Sequence, residues 1–178
     1  MMRLNLGSGS HPKQGWMNVD AYPPADVVHN LENSSWPIID NSIDEVMFHH
    51  SLEHMGQTPE KFFFIVCELY RVCKPNAIVN IVVPHPAHDD FLNDPTHVRP
   101  ITPNILQLFS KKQNEAWKVD GSPNTPLALQ LGVDFEIVES TAYMDERFKG
   151  LEKNIIEQAA MAYRNVIKMY SITLKVIK

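Results

Sequence analysis

The chain has no long run of lysine and arginine, and its formal net charge is −5 over 178 residues. Nucleic-acid phosphates demand a positive footprint, so a nucleic-acid partner is disfavoured. No apolar run is long enough to span a bilayer, which argues against a membrane partner. Strand-like sequence begins at Arg3 with no leader pattern before it, so a cytoplasmic protein is expected. Cysteine is scarce as well. Cys67 and Cys73 flank the end of one helical stretch, point in different directions and suit neither a disulfide nor a metal pair. They fit reduced thiols in a reducing compartment. The remaining composition, 44% apolar and 21% charged, is that of one globular domain with a real core, so residues 1–178 are expected to form a single domain.

One stretch organises the rest. Leu4 and Leu6 alternate with Asn5 and stop at Gly7-Ser8-Gly9, a short buried strand ending in a tight turn. Glycine takes φ > 0 and carries no Cβ, so a ligand can lie against such a turn. A second short strand, Met17-Asn18-Val19, delivers Asp20 at its carboxyl end. In an open α/β sheet a glycine turn after the first strand and a carboxylate after the second face one crevice, and the carboxylate can take two ribose hydroxyls.

Beyond Asp20 the pattern predicts short strands over residues 25–29 and 43–48. Thr58-Pro59-Glu60 opens a helix whose apolar face is Phe62, Ile65, Val66, Leu69 and Val72. Lys74-Pro75-Asn76 ends it, and residues 77–83 read as a strand buried on both faces. This order implies an α/β fold with a mainly parallel sheet. Residues 84–131 break the rhythm with Pro84, Pro86 and Pro95 among histidines and acids, followed by a helix near residues 103–112. A polar stretch of this length reads as a lid or substrate-binding insertion. Strands over 134–143 and 169–177 then flank an amphipathic helix over 151–165.

These pieces together resemble the class I S-adenosylmethionine-dependent methyltransferases. The resemblance rests on Leu4-Asn5-Leu6-Gly7-Ser8-Gly9, Asn18-Val19-Asp20, Asp44-Glu45-Val46 through Leu52-Glu53-His54, and Glu68 through Asn76. Asp94-Pro95-Thr96-His97-Val98-Arg99-Pro100 is similar to a run found after strand five in a small branch of these enzymes. The resemblance implies a Rossmann-like sheet of seven strands, the last antiparallel and inserted between the fifth and sixth. It implies S-adenosylmethionine as cofactor, with Leu6, Gly7, Ser8 and Gly9 against its amino-acid end and Asp20 on the ribose. Asn30 and Leu31 would border the adenine, and His49 and His50 would lie beside the sulfonium. The sequence departs from the family where Asn5 replaces an acid and His11 a third glycine. Only Ser10 to Val19 separate the turn from Asp20, so the first crossover helix is shortened or absent. One sheet face is then thinly covered, to be shielded by Trp16 or by a second copy in a homodimer.

Methyl transfer is an in-line displacement, accelerated mostly by holding donor and acceptor close in a dry pocket. A base is required only where the acceptor must lose a proton, and histidine suits that near neutral pH. The insertion offers His97 and His85 for that task, and His88, Asp89, Asp94 and Arg99 as substrate-binding groups. The expected acceptor is a small molecule, such as a sugar or polysaccharide precursor. A non-catalytic module that binds S-adenosylmethionine or a nucleoside is the alternative. His50-Ser51-Leu52-Glu53-His54 also fits the His-x-x-Glu-His pattern of a zinc hydrolase, which would need one long helix to put His50 and His54 on one face. Gly56 closes the segment too soon for that, and no metal is expected.

Overall fold

A computed structural model describes residues 1–178 of the chain. Seven strands form one sheet: β1 (Arg3–Leu6), β2 (Met17–Asp20), β3 (Val27–Val28), β4 (Ile43–His49), β5 (Cys73–Pro84), β6 (Phe135–Met144) and β7 (Ile167–Val176). They lie in the order β3-β2-β1-β4-β5-β7-β6, and β7 alone runs against the others. The fold is therefore the Rossmann-like one expected, with the last strand antiparallel between the fifth and sixth. No helix separates β1 from β2, and none lies between β2 and β4.

Those missing helices explain the two faces of the sheet. Residues paired in register project to the same side. On one side Leu6, Phe48, Ile81 and Ile172 form a transverse row, every member fully buried. On the other side the row through Asn18, Asn5, Met47, Asn80 and Thr173 is largely polar. Asn5 donates to Asn18 over 2.9 Å, Asn80 donates to Glu45 over 3.0 Å, and Thr173 donates to Asn80 over 3.2 Å. A parallel sheet usually needs apolar residues on both faces because helices cover both. Here β5 is fully buried only at Ala77, Val79, Ile81, Val83 and its two ends, and its other face is partly open, contrary to the strand buried on both sides that its composition suggests.

Helix α1 (Pro59–Val72) covers the apolar side. Thr58 caps it, proline fills its first position, and Phe62, Ile65, Val66, Leu69 and Val72 are buried along one stripe. Phe62, Ile65 and Leu69 meet Phe48, Ile81 and Leu174 around a gap of only about 20 Å³, too small for a ligand. Two polar residues of α1 anchor the helix-free connection before β4. Glu68 accepts from the Trp36 amide at 2.6 Å, while Arg71 donates to Glu68 and to the carbonyls of Trp36 and Ile38.

The stretch 84–131 contains four short helices: α2 (Asp89–Leu92), α3 (Pro103–Gln107), α4 (Lys111–Asp120) and α5 (Leu127–Leu131). Ile101, Leu106, Phe109 and Leu127 from this stretch join the same buried cluster as the sheet. Much of it is thus a wall of the domain. Helix α6 (Lys153–Ala162) precedes β7 and buries none of its residues.

Candidate functional site

The carboxyl ends of β1, β2 and β4 open on one cleft. Gly7 stands at φ 68° and its amide donates to the Val19 carbonyl over 2.9 Å, which bends the chain back over β2. A Cβ on Gly7 would lie 2.4 Å from the Ser51 Cβ, so only glycine lets the turn pass beneath the segment after β4. A Cβ on Gly9, at φ 54°, would meet nothing within 4 Å, and the Gly9 amide donates to Asp20 Oδ2 over 2.8 Å. The second oxygen of Asp20 accepts from the Tyr22 amide at 3.0 Å.

The cleft has three lobes. A lobe of about 520 Å³ is lined by Asn5, Gly7, Ser8, Gly9, Ser10, His11, His49 and His50. Ser8 Oγ is buried there without a hydrogen-bond partner. Beyond Gly7 a second lobe of about 270 Å³ is lined by Asp20, Tyr22, His29, Asn30, Leu31, Glu32, His54 and Met55, among others. Beyond His50 a third, of about 450 Å³, is lined by Pro84, Asp90, Tyr143, Met144, Glu146, Lys168 and Met169. The rings of His49 and His50 pack edge to face, 4.8 Å apart. Burial first, and the neighbouring His50 second, hold His49 below the usual imidazole range.

Eight of the nine residues expected around a cofactor line the first two lobes: Gly7, Ser8, Gly9, Asp20, Asn30, Leu31, His49 and His50. Leu6 is fully buried beneath the turn, and its carbonyl accepts from Ser51 Oγ at 2.8 Å. The residues expected to meet a substrate are more dispersed, and none of them lines the three lobes. His88 caps α2 through Nδ1 and reaches Asp145 through Nε2 at 3.2 Å, so its ring braces the fold from a buried position. Asp89 accepts from Arg164 and Asn165. Asp94 accepts from the Thr96 amide and hydroxyl. Arg99 donates to the Gly56 carbonyl and lies over the Phe62 ring. His85 packs against Tyr170, and burial holds its ring below the usual imidazole range. His97 stacks on Phe91 and donates Nδ1–H to the Phe91 carbonyl at 2.9 Å.

The long helix that a His-x-x-Glu-His hydrolase needs is absent. Only Leu52–His54 is helical, as a single 3-10 turn, and His50 precedes it at φ 51°. Residues that sequence reasoning passed over include Tyr143, Met144, Lys168 and Met169. They lie at the carboxyl end of β6 and the start of antiparallel β7, which meet the cleft only because β7 is inserted beside β5.

No protein-family model matches the chain, and no curated protein does. Solved structures do. A SAM-dependent methyltransferase from Archaeoglobus fulgidus superposes with TM-score 0.63 at 20% identity, over 98% of this chain and 86% of that one. A SAM-dependent methyltransferase from Methanosarcina mazei gives 0.59 at 15% identity, over 99% and 92%. The 1,6-didemethyltoxoflavin N1-methyltransferase of Burkholderia thailandensis, solved with 1,6-didemethyltoxoflavin and S-adenosylhomocysteine, gives 0.54 at 12% identity, over 99% and 71%. This chain has the fold of the SAM-dependent methyltransferases.

Proposed function

We propose that the cleft binds S-adenosylmethionine and that the protein transfers its methyl group to a small-molecule acceptor. The observation that carries this reading is the meeting of the Gly9 amide and the Asp20 carboxylate at the edge of an open cleft. The residues present fit the cofactor. The turn at Gly7-Ser8-Gly9 offers bare backbone, Ser8 Oγ lacks a partner, and Asp20 keeps lone pairs for ribose hydroxyls beyond its two amide bonds. Asn30 and Leu31 would border the adenine, and His49 and His50 the sulfur end.

When bound, S-adenosylmethionine supplies a methyl group on a positively charged sulfur. The chain's part is to hold that group, orient the acceptor and exclude water. Partial desolvation and the neighbouring His50 disfavour the charged form of His49, which limits positive charge beside the sulfonium. The third lobe, reached past His50, is the place for the acceptor, with Lys168 and Tyr143 as its polar groups. The expectation that residues 84–131 choose the acceptor therefore narrows to Pro84 and Asp90. The solved neighbour with bound 1,6-didemethyltoxoflavin supports a small-molecule acceptor.

Calorimetric titration with S-adenosylmethionine, followed by assay for S-adenosylhomocysteine over a panel of small acceptors including sugar precursors, tests the proposal. Binding with turnover supports it, binding without product over the whole panel favours the non-catalytic module, and no binding removes both.

A further inference from the structure

Glu53 is the one buried acid whose carboxylate is left without a partner. It is 1% exposed, and both its oxygens are buried without a hydrogen bond. The nearest basic nitrogen, His50 Nδ1, stands 3.6 Å from Oε1, outside hydrogen-bonding reach. A carboxylate withdrawn from water in this way is costly unless something positive meets it.

Two imidazoles surround the same point. One donor atom each from Glu53, His54 and His97 lie within 4.8 Å of one another, and the two rings stand 4.5 Å apart. The hydrogen bonds around these rings fix which nitrogen is free. Thr96 has one hydroxyl proton, and it goes to Asp94 Oδ1 at 2.6 Å. The 2.9 Å contact between Thr96 Oγ1 and His54 Nδ1 must then be donated by the ring. A carbonyl can only accept, so His97 Nδ1 donates to Phe91 over 2.9 Å. Both rings carry their proton on Nδ1 and leave Nε2 without a hydrogen bond, the nearest acid to His97 Nε2 being Asp94 Oδ2 at 3.8 Å, as the outer hydrogen bonds of metal-binding histidines do.

We propose that Glu53, His54 and His97 bind a first-row divalent metal ion, zinc or manganese being representative. Two imidazoles and one carboxylate suit such ions, and three protein donors leave a coordination position open for a small oxygen ligand. Donors on metal bonds of about 2.0–2.2 Å stand about 3.4 Å apart, so binding requires a modest inward turn, which the exposed His54 can supply. The rest of the site is already held in place. The amides of Val98 and Arg99 both donate to the Glu53 carbonyl, at 2.9 and 3.0 Å, and lock the His97 loop against the 3-10 turn without any metal. His54 also lines the second lobe of the cleft, so the ion would sit in its wall. The site differs from the His50-Glu53-His54 set, because His97 comes from a distant segment and replaces His50.

The test uses the whole chain stripped with a chelator and titrated by calorimetry with zinc chloride and with manganese chloride, no cofactor present. One ion per chain, bound at micromolar or tighter Kd for at least one metal, is expected. His97→Ala and Glu53→Gln should each weaken it by more than about a hundredfold, a loss larger than outer-sphere changes give. His50→Ala should leave it within about threefold. Circular dichroism checks each variant, and if Glu53→Gln fails to fold, His54→Ala takes its place. Failure of both ions to bind below millimolar concentration overturns the proposal, as does binding that survives His97→Ala or is lost with His50→Ala. S-adenosylmethionine is absent throughout, so this outcome is independent of the methyl-transfer reading.

Discussion

The amide of Gly9 donates to the carboxylate of Asp20 over 2.8 Å, joining the turn after β1 to the end of β2 at the edge of the cleft. Asp20 thereby orders the loop that offers backbone to a ligand, and its other oxygen orders Tyr22 beside the second lobe. The two elements form one device, and disturbing either should be felt at both.

The two glycines of the turn should differ in what they tolerate. Gly7→Ala combines a positive φ with a Cβ placed 2.4 Å from that of Ser51. Gly9→Ala carries the positive φ alone. The left-handed strain is about 1–2 kcal/mol for either, and overpacking adds about 1–3 kcal/mol at position 7. Urea melts should rank Gly7→Ala clearly below Gly9→Ala, and equal losses would contradict the packing described.

Substitution in the third lobe should separate acceptor from cofactor. Lys168→Ala or Tyr143→Ala should raise the acceptor KM about tenfold or more, as expected where a polar anchor worth about 1.4 kcal/mol is lost. The Kd for S-adenosylmethionine should stay within about twofold, since neither residue lines the first two lobes. Steady-state kinetics beside calorimetry provides both numbers.

Acid should weaken the link between α1 and the connection before β4. Hydrogen bonds from Arg71, foremost, and from the Trp36 amide hold the Glu68 carboxyl below the usual carboxylate range. A carboxyl lowered in the folded state stabilises fully above its unfolded value of about 4.3 and loses that contribution as pH falls through the folded value. Glu68→Gln should cost about 2–4 kcal/mol at neutral pH, and the gap to the unaltered chain should narrow as pH falls through the folded value. A gap that stayed constant with pH would exclude the ion pair as its cause.

The thiols should be inert in the folded protein. Burial pushes the Cys73 thiol up to about 12 and raises Cys67 as well. Because the thiolate is the reactive form, labelling of Cys73 at pH 8 should be at least about a hundredfold slower than in denaturant. Fast labelling of both cysteines in the native state would show that the end of α1 opens readily.

Much of this was legible in the sequence, and the exceptions have physical causes. Local signals sufficed for α1, with its Thr58 cap, Pro59 and apolar stripe, and for the turn at Gly7-Ser8-Gly9. The missing helix between β1 and β2 followed from the ten residues between Gly9 and Asp20. Arg3 and Lys13 both lie over the Trp16 ring in that connection. The polar face of the sheet was hidden because Asn5, Asn80 and Thr173 are far apart in sequence and meet only through strand register. The dense loop histidines suggested substrate contact, but an imidazole serves equally well as a cap, as His88 does for α2. His97 was singled out as a base, whereas its geometry ties it to Glu53 and His54, a grouping that no spacing rule within one element could reveal.

The most direct test of the account is calorimetry of S-adenosylmethionine on the intact chain and on Asp20→Ala. Saturable one-to-one binding is expected, weakened in the variant by about 1.5–3 kcal/mol, or roughly tenfold to 150-fold, as for a lost hydrogen bond to a charged group. No binding by the intact chain, or equal affinity in the variant, would contradict it.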